Sequence, residues 1–235
     1  EFFRFFQLLQ NFCVTDLSNF YLDIAKDRLY VSAPTDQRRR SCQTVMALII
    51  ERLAGFIAPV LCHMAEDIWQ NLPYPVQETS VFQRGWPTIP SDWRNDTLSA
   101  PVQQLRDLRA AVNKVLEDCR GRQELGASLE AAVRIDARSP ELQAALSWLN
   151  DNGDPDVDGL RDWLLVSQLQ LGGEPWAEVL ASHEDELALI DVSRARGTKC
   201  ERCWHYEGDV GQHPDHPHIC GRCVGVLERR THQLA

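Results

Sequence analysis

Two Cys-x-x-Cys pairs near the end of the chain carry the clearest chemistry. The stretch KCERCWHYEGDVGQHPDHPHICGRC at 199–223 contains Cys200 and Cys203, followed by Cys220 and Cys223. Each pair can present two thiolates to one ion while the intervening loop folds back, which is typical of a tetrahedral four-sulfur site. Such a site leaves no position for water, so the metal is predicted to be structural. Zinc is the first choice and iron the second, because both accept four sulfurs.

Histidines between the two pairs leave an alternative ligand set open. A mixed cysteine and histidine site is a second reading of the same stretch, because imidazole nitrogen also binds zinc. In the remaining alternative, the four cysteines are unrelated free thiols that bind no metal. The histidines in question are His205, His213, His216 and His218.

Cations and one large ring surround the predicted ligands. Lys199, Arg202, Trp204 and Arg222 combine charges suited to phosphates with a surface on which an unpaired base can stack. In the alternative reading, the Trp204 ring packs over the metal site as a small core and the cations are merely solvated. The sequence leaves both readings open at this point.

A second basic cluster lies in the first part of the chain. Arg38, Arg39 and Arg40 open a predicted helix, where positive charges oppose the helix dipole instead of complementing it. A phosphate backbone would favour them there, and so would nearby acidic residues as salt-bridge partners. Lys26 and Arg28, on the preceding predicted helix, have the same two interpretations.

Apolar periodicity predicts the elements that must position these residues. Helices are predicted over 1–13, 17–30, 36–59, 59–72 and 101–123, with a break at Thr15 or Asp16 and a loop over 73–100. A strand at 132–135, a helix after Pro140 and strands within 162–171 and 186–195 follow. The predicted fold class is mainly α, with a helical bundle over 1–126, a small α/β domain over 127–196 and a four-cysteine zinc module over 197–235.

Composition and charge exclude several classes of protein. The chain has 235 residues and a net charge of −10, and 12 acids against 3 bases within 141–196 account for most of the excess. Nucleic acid could therefore meet the two ends of the chain. An apolar run of membrane-spanning length and an export signal are both absent, which predicts a soluble, cytoplasmic protein without a membrane partner. The sequence begins in mid-pattern and is expected to be the C-terminal piece of a longer protein.

Several motifs together resemble one family over nearly the whole chain. The segments NFYLDIAKDRLY, RRRSCQTV, APVLCHMAEDIW, SVFQRGWP and GASLEAAV occur in order, followed by KCERCWHY and ICGRC. This series resembles the C-terminal half of isoleucyl-tRNA synthetase of the bacterial type, a class I aminoacyl-tRNA synthetase. The resemblance implies a helical bundle of the anticodon-binding type, a small α/β domain and a terminal zinc module that also approaches the anticodon.

The resemblance also assigns ligands and partners. It implies one structural Zn²⁺ held by the four cysteines of the two pairs, and isoleucine tRNA as the partner, bound at its anticodon stem and loop, with no DNA expected. The residues that sit in matching motifs and offer phosphate or stacking chemistry are predicted to contact the tRNA. These residues are Lys26, Arg28, Arg38, Arg39, Arg202 and Trp204.

The departures from the family pattern concern catalysis. His-Ile-Gly-His and Lys-Met-Ser-Lys-Ser, the two ATP-handling signatures of the family, have no counterpart here, and neither a phosphate loop nor a serine nucleophile elbow is found. ATP and the joining of isoleucine to its tRNA would therefore belong to a catalytic region of the parent. Two alternatives stay open: a stand-alone RNA- or protein-binding module with a structural zinc, and the C-terminal part of a zinc-finger DNA glycosylase.

Overall fold

The structure is a computed structural model that describes residues 1–152 and 159–234. Residues 153–158, which belong to the acidic segment expected in the α/β domain, and residue 235 lie outside the described part. The chain divides into two compact units, one made of Glu1–Ala33 with Asp96–Ala235 and the other of Pro34–Asn95. These units are defined by contacts, so the segment boundaries predicted at 126 and 196 stay a prediction.

The first unit begins with continuous helix where the sequence predicted a break. Helix α1 (Phe2–Asn11), a π-helical stretch (Phe12–Leu22) and helix α2 (Asp23–Tyr30) follow one another directly. The predicted break at Thr15 or Asp16 is wrong because neither side chain caps a new helix. The Thr15 hydroxyl donates to Asn11 Oδ1 at 3.1 Å, and the Asp16 carboxylate accepts from Arg106 at 2.6 Å.

A helix and a mixed sheet form the main core of this unit. Helix α5 begins at Asp96, earlier than predicted, and Pro101 lies within it. Strand order is β2-β1-β4-β3, with β1 parallel to β2 and antiparallel to β4, and β3 antiparallel to β4. Leucine and valine side chains of α5 pack on the sheet and on α6. The elements are α5 (Asp96–Gly121), β1 (Ala131–Ala137), α6 (Pro140–Asn152), α7 (Leu160–Leu164), β2 (Gln168–Leu171), β3 (Ala181–Glu184) and β4 (Ala188–Arg194).

The segment 162–171, predicted as one strand, is helix followed by strand. Leu160 and Leu164 both belong to the buried core, and their spacing places them on one face of α7. Leu165 then adopts a left-handed backbone, with φ of 55°, and ends the helix. The strand β2 starts only at Gln168, so the prediction is correct for the second half of the segment alone.

The end of the chain folds around the cysteines. Strands β5 (Thr198–Lys199) and β6 (Tyr206–Glu207) pair as a short antiparallel ribbon, and helix α8 (Gly221–Leu234) follows a loop. The ribbon bears the first Cys-x-x-Cys pair between its strands. In the second pair, Cys220 directly precedes α8 and Cys223 lies in its first turn.

The second unit consists of two helices and a folded connection. Helix α3 (Gln37–Ile57) begins after Asp36, whose carboxylate accepts from the Arg38 backbone N–H at 2.9 Å as an N-cap. Helix α4 (Cys62–Gln70) follows, and the segment after it contains the 3₁₀ turns Val81–Gln83 and Ser91–Trp93. Asp36 therefore confirms the predicted start of this helix.

One carboxylate ties α4 to the connection that follows it. Glu66 accepts hydrogen bonds from the Ser80 hydroxyl at 2.9 Å, the Val81 backbone N–H at 3.0 Å and the Gln70 amide at 2.8 Å. Bonds from Gln70, and then from Ser80 and Val81, lower the pKa of Glu66 below its usual 4.5. The anionic carboxylate is thus the form that holds the two segments together.

These elements confirm the predicted fold class. The chain is mainly helical, with a small mixed sheet in the second half and a cysteine cluster near the C-terminus. Among the described residues, no helix combines the length and the apolar character needed to cross a bilayer.

Candidate metal centre and adjoining cleft

Four cysteine sulfurs converge on one point in the terminal part of the chain. The Sγ atoms of Cys200, Cys203, Cys220 and Cys223 all lie within 4.8 Å of one another. The Cys200 to Cys223 distance is 3.8 Å and the Cys203 to Cys220 distance is 3.7 Å. Four sulfurs at about 2.3 Å from a tetrahedral Zn²⁺ would be separated by about 3.8 Å. The cluster therefore fits one zinc ion.

Backbone hydrogen bonds fix both turns of the cluster. In the first turn, Cys200 N–H donates to the His205 carbonyl at 2.8 Å, and Trp204 N–H donates to the Cys200 carbonyl at 2.9 Å. In the second turn, Val224 N–H donates to the Cys220 carbonyl at 3.0 Å, and Cys220 N–H donates to Cys200 Sγ at 3.4 Å. Donation of backbone N–H groups toward sulfur is favourable to thiolate.

The electrostatics of the cluster call for a cation. Hydrogen bonds from Cys220 and Cys223 lower the pKa of the Cys203 thiol. The bond to Cys203 raises the pKa of Cys220 to about 11, and bonds to Cys203 and Cys220 also raise that of Cys223. One thiolate thus hinders ionisation of its neighbours, and a bound cation would favour the ionised form of all four sulfurs.

The structure closes the site with cysteines alone. Among the described residues, the group positioned to hold a metal ion contains the four cysteines and none of the histidines. His205 is buried beside them, and burial followed by the charge of Arg161 lowers its pKa to about 4. His205 is therefore a neutral residue beside the ligands. The structure does not form the mixed cysteine and histidine ligand set considered above.

Trp204, beside the metal centre, is largely exposed. The residue is 62 % exposed, and Lys199 Nζ lies 5.8 Å from the ring centroid. Its φ of 68° places a bulky residue in the left-handed region, which costs on the order of 1–3 kcal/mol. Val31, Val210 and Ile219, not Trp204, pack against the sulfurs. This exposure favours the stacking interpretation, which stays a prediction, over a small core formed by the ring.

A cleft of about 670 Å³ lies between α2, α5 and the metal centre, within the first unit. Tyr30 and Trp204 line it, and both are largely exposed. Three of its charged groups pair with one another, since Asp23 accepts from Lys26 at 2.8 Å and from Arg109 at 2.6 Å. The cleft therefore offers rings, donors and acceptors without a large excess of one charge. Further polar residues on its wall are Asp27, Asn113, Glu117, Arg120, Ser128 and Arg202.

The predicted tRNA-binding residues fall in different surroundings. Lys26, Arg202 and Trp204 line the cleft. Arg28 is in the last turn of α2 and half-buried. Arg38 and Arg39, also half-buried, belong to the first turn of α3 in the second unit.

Arg202 differs most from what the sequence suggested. Its guanidinium points inward, donating from Nη2 to the Val31 carbonyl at 2.6 Å and from Nη1 to Cys223 Sγ at 3.6 Å. These bonds use the donors that a phosphate contact would need, so a phosphate role for Arg202 gains no support and stays an untested prediction.

Sequence reasoning missed the part of α2 that meets the metal centre. Asp27 and Val31 lie one helical turn apart, and both touch the module around the cysteines. An acidic residue and a valine at that spacing carry no distinctive signal, because α2 contains other acids and aliphatic residues. Only the tertiary contact identifies them.

Parts of the chain match two known protein-domain families. Residues 1–135 match the anticodon-binding domain of tRNA ligase, and residues 197–225 match the zinc finger found in FPG and IleRS. The second match agrees with the four-sulfur geometry, and together they indicate one structural zinc.

Curated relatives are similar in sequence to this chain over almost its whole length. It is 98 % identical over 228 residues to the isoleucine–tRNA ligase of Parasynechococcus marenigrum strain WH8102, which covers 97 % of this chain and 23 % of that protein. The isoleucine–tRNA ligases of Synechococcus sp. strain CC9311 and Prochlorococcus marinus strain MIT 9313 are 75 % and 74 % identical over 230 residues each, covering 98 % of this chain and 24 % of theirs.

The chain thus spans about a quarter of the length of these relatives. The anticodon-binding match, in contrast, covers more than half of the chain itself and includes α2 and α5, which supply two walls of the cleft. The zinc-finger match supplies the third wall. On this evidence the chain belongs to the family of anticodon-binding domains of tRNA ligases.

Proposed function

We propose that this chain binds isoleucine tRNA at its anticodon stem and loop, as the tRNA-recognition part of an isoleucine–tRNA ligase. The single observation that carries the proposal is the placement of the exposed Trp204 ring beside a cleft whose other walls come from α2 and α5. The match of residues 1–135 to anticodon-binding domains and the high identity to isoleucine–tRNA ligases support it.

The chemistry of the cleft suits an unpaired base. Anticodon bases can be splayed out of the loop, stacked on aromatic surfaces and read along their hydrogen-bonding edges. Trp204 and Tyr30 would supply stacking surfaces, and paired groups such as Asp23 and Arg109 offer both acceptors and donors. Lys26, with its side chain 65 % exposed, would meet the phosphate backbone, and affinity should fall as salt is added.

The metal centre would serve this recognition as a scaffold. Cys200, Cys203, Cys220 and Cys223 would hold Zn²⁺, which when bound would supply charge balance for four thiolates and a rigid pair of turns. Trp204 directly follows one of these ligands, so a fixed first turn would fix the ring. Arg28, Arg38 and Arg39 remain proposed backbone contacts.

The parent protein would join isoleucine to its tRNA using ATP, in the cytoplasm. The relatives named isoleucine–tRNA ligase support this, and the three segments 1–126, 127–196 and 197–235 would supply anticodon grip, connection and zinc scaffold. An anticodon lies far from the acceptor end of a tRNA, so a separate part of a ligase must read it. We assign that division of labour to this chain.

The test is a titration of the zinc-loaded chain against isoleucine tRNA and against the same tRNA with its anticodon replaced. Tighter binding of the intact tRNA is the expected result. Equal affinity for both would mean that the chain binds tRNA without recognising the anticodon. Absence of binding to either would favour a scaffold for protein contacts, and preference for duplex DNA would favour the glycosylase alternative.

A further inference from the structure

Two arginines of the metal module reach across to α2. Arg222 Nη1 and Nη2 each donate to one Asp27 carboxylate oxygen at 2.8 Å, forming a bidentate pair. The Asp27 side chain is only 11 % exposed and that of Arg222 is 34 % exposed. A pair of this geometry fixes both distance and orientation, because two parallel hydrogen bonds hold two planar groups.

Arg202 makes the second connection, and it also touches the metal centre. One guanidinium nitrogen donates to the Val31 carbonyl, at the C-terminal end of α2, and another donates to Cys223 Sγ. The end of a helix has carbonyls without intrahelical partners, so this bond satisfies a group that α2 leaves open. A single side chain thus links a sulfur of the cluster to the helix.

The Val31 side chain completes the contact. It is 6 % exposed and packs in one cluster with the four cysteines. The module is too small to build an ample core from its own residues. Its small core therefore includes the Val31 side chain, which lies at the end of α2, one turn beyond Asp27.

These contacts and Trp204 belong to the same small module. Trp204 lies two residues after Arg202, and its backbone N–H is bonded to the Cys200 carbonyl. A rotation of the module about the cluster would move the ring relative to Tyr30 and Lys26 on α2. The distance between the two sides of the cleft depends on what holds the module to the helix.

We infer that Arg222 and Arg202 are positioning residues, which dock the zinc module on Asp27 and Val31 of α2 and thereby set Trp204 at the spacing that anticodon recognition needs. The inference rests on the proposed function for its effect on tRNA, but the docking itself does not. This docking role requires no contact of either arginine with RNA. Their charge is used inside the protein.

The experiment compares Arg222→Gln with Arg229→Gln in the zinc-loaded chain. Both variants remove one positive charge from α8, but Arg229 is exposed. We expect zinc content to stay at that of the unaltered chain in both variants. In Arg222→Gln alone, amide exchange over residues 23–33 should accelerate about tenfold or more, since removing one partner leaves the Asp27 charge poorly paired. Preference for the intact anticodon should shrink in parallel.

A charge-reversed pair separates docking from direct RNA contact. Asp27→Arg combined with Arg222→Asp can restore the ion pair, so it should recover slow exchange and anticodon preference relative to either single variant. Arg222→Lys, which keeps the charge but loses the bidentate geometry, should fall between Arg222→Gln and the unaltered chain. This conservative variant keeps the test valid where a stronger one folds poorly.

The outcomes distinguish the two proposals. Unchanged exchange over residues 23–33 in Arg222→Gln and Arg222→Lys would overturn the inference. So would a loss of tRNA binding that the charge-reversed pair fails to recover, because Arg222 would then contact the RNA itself. Accelerated exchange in a chain whose unaltered form binds no tRNA would uphold the docking and overturn the proposed function.

Discussion

The backbone of Trp204 matters as much as its ring. With φ at 68°, the residue occupies a conformation that glycine adopts without steric cost, while the adjacent metal turn holds it there. The ring contributes little burial in return, since most of it is exposed. A costly conformation that gains no packing supports the stacking role proposed above for this ring.

Replacing Trp204 by glycine should separate stability from recognition. Trp204→Gly should be more stable than Trp204→Ala by about 0.5–1 kcal/mol, because glycine relieves the backbone strain. Both should bind isoleucine tRNA about 5- to 150-fold more weakly, the worth of one stacked base. Urea denaturation and tRNA titration measure the two effects.

The matched control is Trp86→Ala, which removes an equally exposed ring from the second unit. It should leave affinity for isoleucine tRNA within about twofold of the unaltered chain. An equal loss in Trp86→Ala would show that Trp204 has no special part in binding.

At the scale of elements, Glu66 joins α4 to the 3₁₀ turn at Val81–Gln83. Its pKa is lowered on folding, so its contribution is present above the unfolded value of 4.5 and is lost as pH falls through the folded pKa. Glu66→Gln should therefore lower the urea midpoint of the second unit at pH 7. The difference from the unaltered chain should vanish at a pH below the folded pKa.

The comparison for this prediction is Glu186→Gln, an exposed glutamate of the first unit. Its urea midpoint should follow that of the unaltered chain at every pH. A Glu66→Gln defect that persists unchanged in acid would mean that the carboxylate charge is not what ties α4 to the turn.

The strands β1 and β4 are pinned by a buried ion pair. Arg134 and Asp191 are register partners, both about 6 % exposed in their side chains, with Arg134 Nη2 2.6 Å from Asp191 Oδ2. Ser182 and the Gly173 carbonyl satisfy further atoms of the pair. A slip by one residue would leave both charges buried without partners.

Removing one member of this pair should lower the free energy of unfolding more than removing both members does. Arg134→Met or Asp191→Leu alone should lower the free energy of unfolding by about 3–5 kcal/mol, because one buried charge loses its partner. The double variant should regain most of the loss. Urea denaturation of the three variants tests this, and additive losses would contradict it.

Element prediction from the sequence succeeded where periodicity was unambiguous. α3 and α4 were placed close to their observed bounds, since apolar spacing and the Asp36 cap agree there. It failed in the helix that runs through Thr15, because good capping residues are also tolerated within a helix when tertiary partners take their side chains. The segment 162–171 mixes aliphatic residues that suit helix and strand equally, so the core decided it.

For the whole molecule, the metal centre was predictable and its surroundings were not. Two Cys-x-x-Cys pairs at this spacing favour a four-sulfur site, since the geometry of each turn is local. The docking of that site on α2 joins residues 195 positions apart, Arg222 and Asp27, and no local pattern encodes it. The cleft therefore became visible only in the folded chain.

Loss of one ligand should spread beyond the module. Cys220→Ser should reduce bound zinc from one ion per chain to nearly none, and residues 197–229 should lose protection from amide exchange. The last turn of α2 should lose protection too, because Val31 packs on the cysteines. Helicity over residues 34–95 should persist.

Exposed Cys62 provides the control for this prediction. Cys62→Ser should retain one zinc per chain and the exchange pattern of the unaltered protein. Unchanged zinc content in Cys220→Ser would refute the four-cysteine site itself.

The distance in sequence between α2 and its partners has a consequence for synthesis. A ribosome makes Asp27 and Val31 nearly two hundred residues before it makes Arg222. During that interval α2 has no metal module against which to dock, and a transcript that ends early yields a chain whose cleft never closes. The complete cleft can therefore form only after the module around the four cysteines has been made, nearly two hundred residues after α2.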